Sequence, residues 1–303
     1  MNKARTHIIL LRRLVYCMII MFVFETMEAQ TKRALVVGIS DYQQNGENSW
    51  GTIHGSNDAD LIVPVLKAQG FKATKICNKA ATAVQIRKSL DNLIASCQSG
   101  DIVYLHFSCH GQPFEDLDGD EEDGWDESII PYDALMVYQK GVYVGANHIT
   151  DDELHTCFQK IRKKIGKRGF VCVVIDACHA GGSSRGEEDV DDEDEIFVRG
   201  VKKGFSPHGK DFRPRINANG HFQIPQEEVL ADITILEACR SYQSNYEIKQ
   251  EGKYYGPLSY YVSKILTKQN LARSTDWIQE VKKMMSADKR LIRQNMVYET
   301  SIK

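Results

Sequence analysis

Phe170-Val171-Cys172-Val173-Val174-Ile175-Asp176-Ala177-Cys178-His179-Ala180-Gly181-Gly182 is the stretch on which the reading of the fold turns. Phe170 to Ile175 is a run of apolar and β-branched residues with no polar face, which reads as a strand buried on both sides. It stops in the polar tip Asp176-Ala177-Cys178-His179, and two glycines then let the backbone turn sharply. Such a strand end can present a cysteine nucleophile at a sheet edge. A free cysteine is otherwise most often a small buried hydrophobe. This stretch alone leaves the two readings level.

Around it lies a chain of 303 residues, 42% hydrophobic and 26% charged, an ordinary globular composition. Net charge is −3, so nothing suggests a nucleic-acid surface. The first 29 residues differ: Lys3, Arg5, Arg12 and Arg13 precede an apolar run, Leu14 to Phe24, too short to span a bilayer. Small and polar residues follow, with Ala29-Gln30 a cleavage point, although Met27 is larger than that pattern prefers. Residues 1–29 therefore read as a signal peptide of an exported protein, periplasmic, surface-held or released. An uncleaved anchor is the competing reading. Of eight cysteines, Cys17 lies in this segment. The rest form no C-x-x-C pair, and Cys77, Cys172 and Cys239 sit in strand-like runs, so no disulfide framework is expected.

Along the rest, buried strands are expected at Lys32 to Ser40, Phe71 to Cys77, Asp101 to Ser108, Phe170 to Asp176 and Ala231 to Ala238. Helices alternate with them. One is capped by Ser56 or Asn57 and closed by Gly70, one spans Thr82 to Ser96, and one follows Thr150; two more lie near Pro257–Leu266 and Thr275–Met285. The alternation predicts an α/β fold with a mostly parallel sheet, whose sites collect at the carboxyl ends of the strands. Two acidic runs interrupt it: Glu115 to Glu127 has nine acids in thirteen positions, Glu187 to Glu195 eight in nine. Residues 183–226 read as a long exposed loop.

The strand ending at Ser108 is followed by Cys109-His110-Gly111. If it neighbours the 170–176 strand in a parallel sheet, His110 and Cys178 lie at the same edge. An imidazole can take the thiol proton and later protonate a leaving amine. Backbone N–H groups of Gly111 and of Ala177 or Cys178 can receive the oxyanion. Two successive strand ends of this composition make a strong signal.

At these residues the chain resembles the caspase-like cysteine peptidases, the clan of caspases, gingipains and clostripain, and within them the metacaspases most closely. The resemblance runs from about Arg33 to Gln294. It rests on A-L-V-V-G-I-S at 34–40, S-N-D-A at 56–59, F-S-C-H-G at 107–111 and D-L-D-G-D-E-E-D-G-W-D-E at 116–127. I-T-D-D-E-L at 149–154, D-A-C-H-A-G-G at 176–182 and L-E-A-C-R-S-Y-Q at 236–243 complete it. The caspase signature Q-A-C-[RQG]-G is not met, which favours metacaspases.

The resemblance implies one caspase-like peptidase domain over residues 30–303, with His110 as general base and Cys178 as nucleophile. It places Asp58, Ser108 and Asp176 in the S1 pocket, and makes monomer the expected state. Two carboxylates there favour peptide or protein substrates with Arg or Lys before the cut; Asp58 can instead be a first-turn helix acid and Asp176 a loop cap. Activating calcium, common in the family, is implied at Asp126, Asp151 and Asp152, with Glu187 to Asp189 candidates for a fourth acid. Solvated surface acid is the bland alternative. An EF-hand fits poorly: Glu121 stands where its glycine belongs. Arg199, Lys202, Lys203, Lys210 and Arg213 are candidate self-processing sites, and His179 is set aside as the base. Two competing readings are an idle caspase-fold regulatory module and a calcium-binding surface protein.

Overall fold

The computed structural model describes residues 30–121, 124–178, 196–201, 203–209, 224, 229–241 and 243–302. The expected signal peptide, His179, the acids at 187–189, Lys202, Lys210 and Arg213 lie outside the described residues. In chain order the strands are β1 (Lys32–Gly38), β2 (Phe71–Cys77), β3 (Ile102–Ser108), β4 (Gly111–Glu115), β5 (Trp125–Ile129), β6 (Ile149–Thr150) and β7 (Phe170–Asp176). They continue with β8 (Asp232–Glu237), β9 (Ile248–Gln250), β10 (Lys253–Tyr255) and β11 (Val297–Thr300). The helices are α1 (Gly55–Ala68), α2 (Ala83–Ser96), α3 (Asp151–Ile165), α4 (Pro257–Leu266) and α5 (Asp276–Ala287).

Six strands form one sheet in the order β2-β1-β3-β7-β8-β11, parallel except for β11 at one edge. Leu35, Val37, Val103, Leu105, Val171 and Val173 face α2 and α3, packing on Ile86, Leu90, Leu154 and Phe158. Their alternates Ala34, Val36, Tyr104 and Val174 face α1, α4 and α5, packing on Ile62, Val262 and Val281. Helices cover both faces, so the central strands need apolar residues at every position, which is why they stand out in the sequence. Each fully buried Val, Leu or Ile contributes about 1.5–3 kcal/mol. Two small sheets flank this one, β4-β5-β6 and the β9-β10 hairpin.

The β3–β7 register pairs Ser108 with Asp176, so the two polar tips emerge side by side. Thr82 and Thr150 cap α2 and α3 through side-chain oxygens, as their positions predict. The expected cap of α1 is corrected. Residue His54 precedes its first turn and no side chain caps it; Ser56 Oγ lies 2.6 Å from Ser40 Oγ, and Asn57 reaches the Tyr254 carbonyl. These side chains tie the helix start to neighbouring segments instead of closing it on itself. A second correction concerns the expected exposed loop over 183–226. Within its described residues Arg199 and Phe205 are fully buried, because Arg199 bonds to the two strand tips and Phe205 to β4.

Gly55 seats the start of α1 on the sheet. A Cβ there would stand 2.3 Å from the Ser108 carbonyl oxygen and 2.7 Å from that of Ile39. Gly55→Ala is expected to cost about 1–3 kcal/mol by overpacking, read from urea denaturation. A wild-type midpoint would contradict this close seating.

Candidate active site

His110 sits just past the end of β3. Its N–H donates to Tyr42 Oη at 2.7 Å, and its ring lies between Tyr42 and Trp50, with centroids 5.0 and 5.1 Å away. Nε2 is 2.8 Å from the Gly51 carbonyl oxygen, which can only accept, so Nε2 carries the proton. Burial lowers the His110 pKa to about 4, leaving the ring neutral at neutral pH. Nδ1 is then the basic nitrogen, buried and without a hydrogen-bond partner.

Cys178 lies two residues beyond the end of β7, 2% exposed, its thiol directed at the Gln243 carbonyl 3.2 Å away. Cys239 packs against it; their thiol contact and burial keep Cys239 protonated. Cys109, beside His110, is also a poor nucleophile candidate, since burial pushes its thiol up to about 12. The seven described cysteines are all free thiols.

The two tips meet on one group, the carbonyl oxygen of Arg199. Gly111 N–H and Cys178 N–H both donate to it at 3.0 Å. Arg199 N–H donates to the Asn245 carbonyl and Glu247 N–H to that of Phe197, each at 3.0 Å. Residues 197–199 thus lie as an added antiparallel strand against 245–247, the usual way an extended peptide is held. Gly200 follows at the thiol: a Cβ there would fall 2.8 Å from Cys178 Cβ and 2.3 Å from the Cys178 carbonyl oxygen. Only glycine admits that approach.

The Arg199 side chain fills a pocket closed to solvent. Its guanidinium meets Asp58 Oδ2 at 2.7 Å, Glu247 Oε1 at 2.8 Å and Asp176 Oδ1 at 3.6 Å. It also donates to Ser108 Oγ at 2.6 Å, and Ser108 Oγ donates to Asp58 Oδ2 at 2.6 Å. Asp58, Ser108 and Asp176 are therefore brought together around one guanidinium. Asp176 is fixed by Asn245 Nδ2 at 2.7 Å and by the N–H and Oγ of Ser259, each at 2.7 Å. A buried relay from Tyr104 through His106 reaches Ser259 behind it. Asp58 is pushed up to about 7, first by burial and despite Arg199, with Asp176 and Glu247 repelling its charge. The three acids hold Arg199 firmly protonated.

Away from the cleft, Asp120, Asp126 and Asp152 each offer an oxygen within 4.8 Å of the others. Asp151 falls outside this close set, yet its buried Oδ1 has no hydrogen-bond partner. Burial, Asp151 and Asp152 push Asp126 up to about 8; burial, Asp152 and Glu121 push Asp151 up to about 8. Glu127, the last acid of the first acidic run, lies in β5 opposite Pro113 and outside the set. Mutually repelling hard oxygens, buried at Asp126, partly buried at Asp152 and exposed at Asp120, fit a divalent cation such as Ca²⁺.

Glu247, Asn245, Ser259, Tyr42, Trp50 and Gly51 were not singled out by sequence. They come from loops and short strands whose residues have no spacing in common with the two tips.

An imidazole with a free basic nitrogen, a thiol on the adjacent strand end and paired backbone donors define a cysteine-peptidase architecture of the caspase type. The family comparison agrees: the Peptidase C14 caspase domain matches residues 31–302, and the chain belongs to that family. Metacaspase-1 of Mycosarcoma maydis is 32% identical over 168 residues, covering 52% of this chain and 38% of that protein. Metacaspase-1B of Aspergillus fumigatus is 39% identical over 100 residues, 33% of this chain and 22% of that one. The matched regions span well under half of these relatives. Among solved structures, caspase-1 of Spodoptera frugiperda superposes with TM-score 0.54 at 12% identity, covering 91% of this chain and 90% of its own. A Geobacter sulfurreducens protein superposes with TM-score 0.60 at 18% identity, covering 89% and 93%. Both likenesses concern the fold.

The geometry predicts that His110 stays neutral down to about pH 4. Its ring resonances, followed by NMR in Cys178→Ala, are expected to titrate well below the usual 6.5. A midpoint near 6.5 would contradict the buried, carbonyl-bound ring.

Proposed function

We propose that this chain is a cysteine endopeptidase of metacaspase type that cuts after Arg or Lys and processes itself between Arg199 and Gly200. The observation that carries the reading is Arg199 itself, with its guanidinium among three carboxylates and its carbonyl oxygen between two N–H donors. That is the pose a peptidase with basic specificity gives the residue before the cut.

In this reading His110 Nδ1 takes the Cys178 proton, and the thiolate attacks the Arg199 carbonyl carbon. Gly111 and Cys178 N–H groups hold the oxyanion. The imidazolium then protonates the departing Gly200 nitrogen and the C–N bond breaks, leaving an acyl-enzyme. Water, deprotonated by Nδ1, releases the new carboxylate and restores the thiol. Later substrates enter when the cut segment gives up the pocket. Arginine suits it better than lysine, since the planar fork meets Asp58, Asp176, Glu247 and Ser108 together.

The reading extends to calcium and to export. Asp120, Asp126 and Asp152, with Asp151 beside them, would hold Ca²⁺, whose charge would offset their mutual repulsion. Residues 1–29 would direct export, supported by their basic start and short apolar run.

The test is hydrolysis of Arg-, Lys- and Asp-ending fluorogenic peptides. Arg and Lys peptides are expected to turn over and Asp peptides not. Cys178→Ala and His110→Ala should each lose about three orders of magnitude or more, and Glu247→Ala about 2–5 kcal/mol in kcat/KM. Preference for Asp, or turnover surviving Cys178→Ala, would sink the reading.

Calcium is checked by melting temperature against pH. Asp126 and Asp151 have folded pKa values raised above their unfolded ones. In chelator their contribution to stability is therefore full below about pH 4 and lost as pH rises through about 8. Ca²⁺ replaces the protons, so the rise in Tm it causes should grow from pH 5 to pH 8. No calcium-dependent shift at pH 8 would remove the metal from the account.

A further inference from the structure

Downstream of Gly200 the same segment runs on across β4. Phe205 N–H donates to the Pro113 carbonyl at 2.8 Å, and Glu115 N–H donates to the Phe205 carbonyl at 2.9 Å. Between these points and the cut, Gln112 Nε2 donates to the Lys203 carbonyl at 2.8 Å. Gln112 is itself held by a buried chain. Neutral His148 donates from Nε2 to Gln112 Oε1 at 2.9 Å, and Tyr143 Oη donates to His148 Nδ1 at 2.9 Å. The chain fixes which end of the Gln112 amide faces the segment.

The Phe205 ring, 1% exposed, ends this track in a pocket of its own. It stacks on Phe114 at 5.6 Å and 7°, meets Tyr143 edge-on at 5.5 Å and lies 4.5 Å from the His148 ring. Leu135 and Tyr138 pack around this group, which forms an apolar cluster separate from the two faces of the main sheet. Aromatic pairs in these geometries add to area burial, so one side chain can anchor a strand otherwise held by a few backbone bonds. On the far side of the cut, Arg199 is the other anchor. The Arg199–Gly200 bond lies between two filled pockets, beside the Cys178 side chain.

We propose that the aromatic pocket is a substrate-binding subsite for an aromatic side chain six residues after the cleaved arginine. Phe205 uses it in the uncut chain to hold the Arg199–Gly200 bond at Cys178. The enzyme then selects extended peptides of the form Arg, five residues, aromatic, and a substrate ending at the cut forgoes part of the available binding. This rests on the proposed cleavage after Arg and names a second determinant of it.

Two synthetic peptides spanning residues 196–208, one native and one with Phe205→Ala, are offered to the processed enzyme beside a short Arg-ending fluorogenic peptide. Cleavage after Arg199 is followed by mass spectrometry. The native peptide should be cut with kcat/KM at least tenfold higher than the Ala peptide; a Phe205→Tyr peptide should recover much of the difference and a Phe205→Leu peptide clearly less. In the full chain, Phe205→Ala should slow self-cleavage at Arg199 similarly while Phe205→Tyr restores it. Equal cutting of the two peptides overturns the inference, as does no cutting of either while the short peptide turns over; both outcomes leave Arg specificity standing. Failure to turn over the short peptide removes the Arg reading and the inference with it.

Discussion

A single guanidinium placed among three carboxylates governs this structure. Arg199, Asp58, Asp176 and Glu247 are all buried, the latter three brought from α1, the end of β7 and the loop before β9. Burying such charges costs more than an exposed pair returns unless geometry and hydrogen bonds are good. Here Ser108, Asn245, Ser259 and the Gly256 N–H supply those bonds. Removing the cation would leave three acids facing one another, and burial already pushes Asp58 up to about 7 with Arg199 in place. The pocket is thus built for a cation, and the chain supplies one of its own.

That constraint explains the architecture around the cleft. The β3–β7 register brings Ser108 beside Asp176, and the chain beyond each tip turns so that Gly111 and Cys178 aim their N–H groups at one oxygen. His110 is shaped independently, by the Tyr42–Trp50 cage and the Gly51 carbonyl. Its buried ring is a neutral base at hand, with the proton on the nitrogen facing away from the unpartnered one. Preorganisation of this kind leaves little to rearrange during a reaction.

Much of this was legible in the sequence, for physical reasons. Strands β1, β3, β7 and β8 are covered on both faces, so their residues are apolar without interruption. The tips announced themselves because polar residues and glycine follow those runs abruptly. The β4–β5–β6 sheet did not, since Trp125, Asp126 and Glu127 lie inside a run of acids that reads as loop. Glu247 was equally hidden: it is 71 positions beyond Asp176, in a polar stretch, and only the antiparallel pairing with Phe197 carries it to the pocket. Arg199 was visible as one of several basic residues in a segment that reads as exposed. What the sequence could not supply was that its side chain and its carbonyl oxygen each have a buried partner set.

The direct measurement is the position of the self-made cut. Purified full chain, wild type and Cys178→Ala, is incubated and the fragments are mapped by intact mass and N-terminal sequencing. The account predicts a wild-type fragment beginning at Gly200 and an intact Cys178→Ala chain. A wild-type chain cut only after Lys203 or later, or a Cys178→Ala chain cut at the same bond, would contradict it.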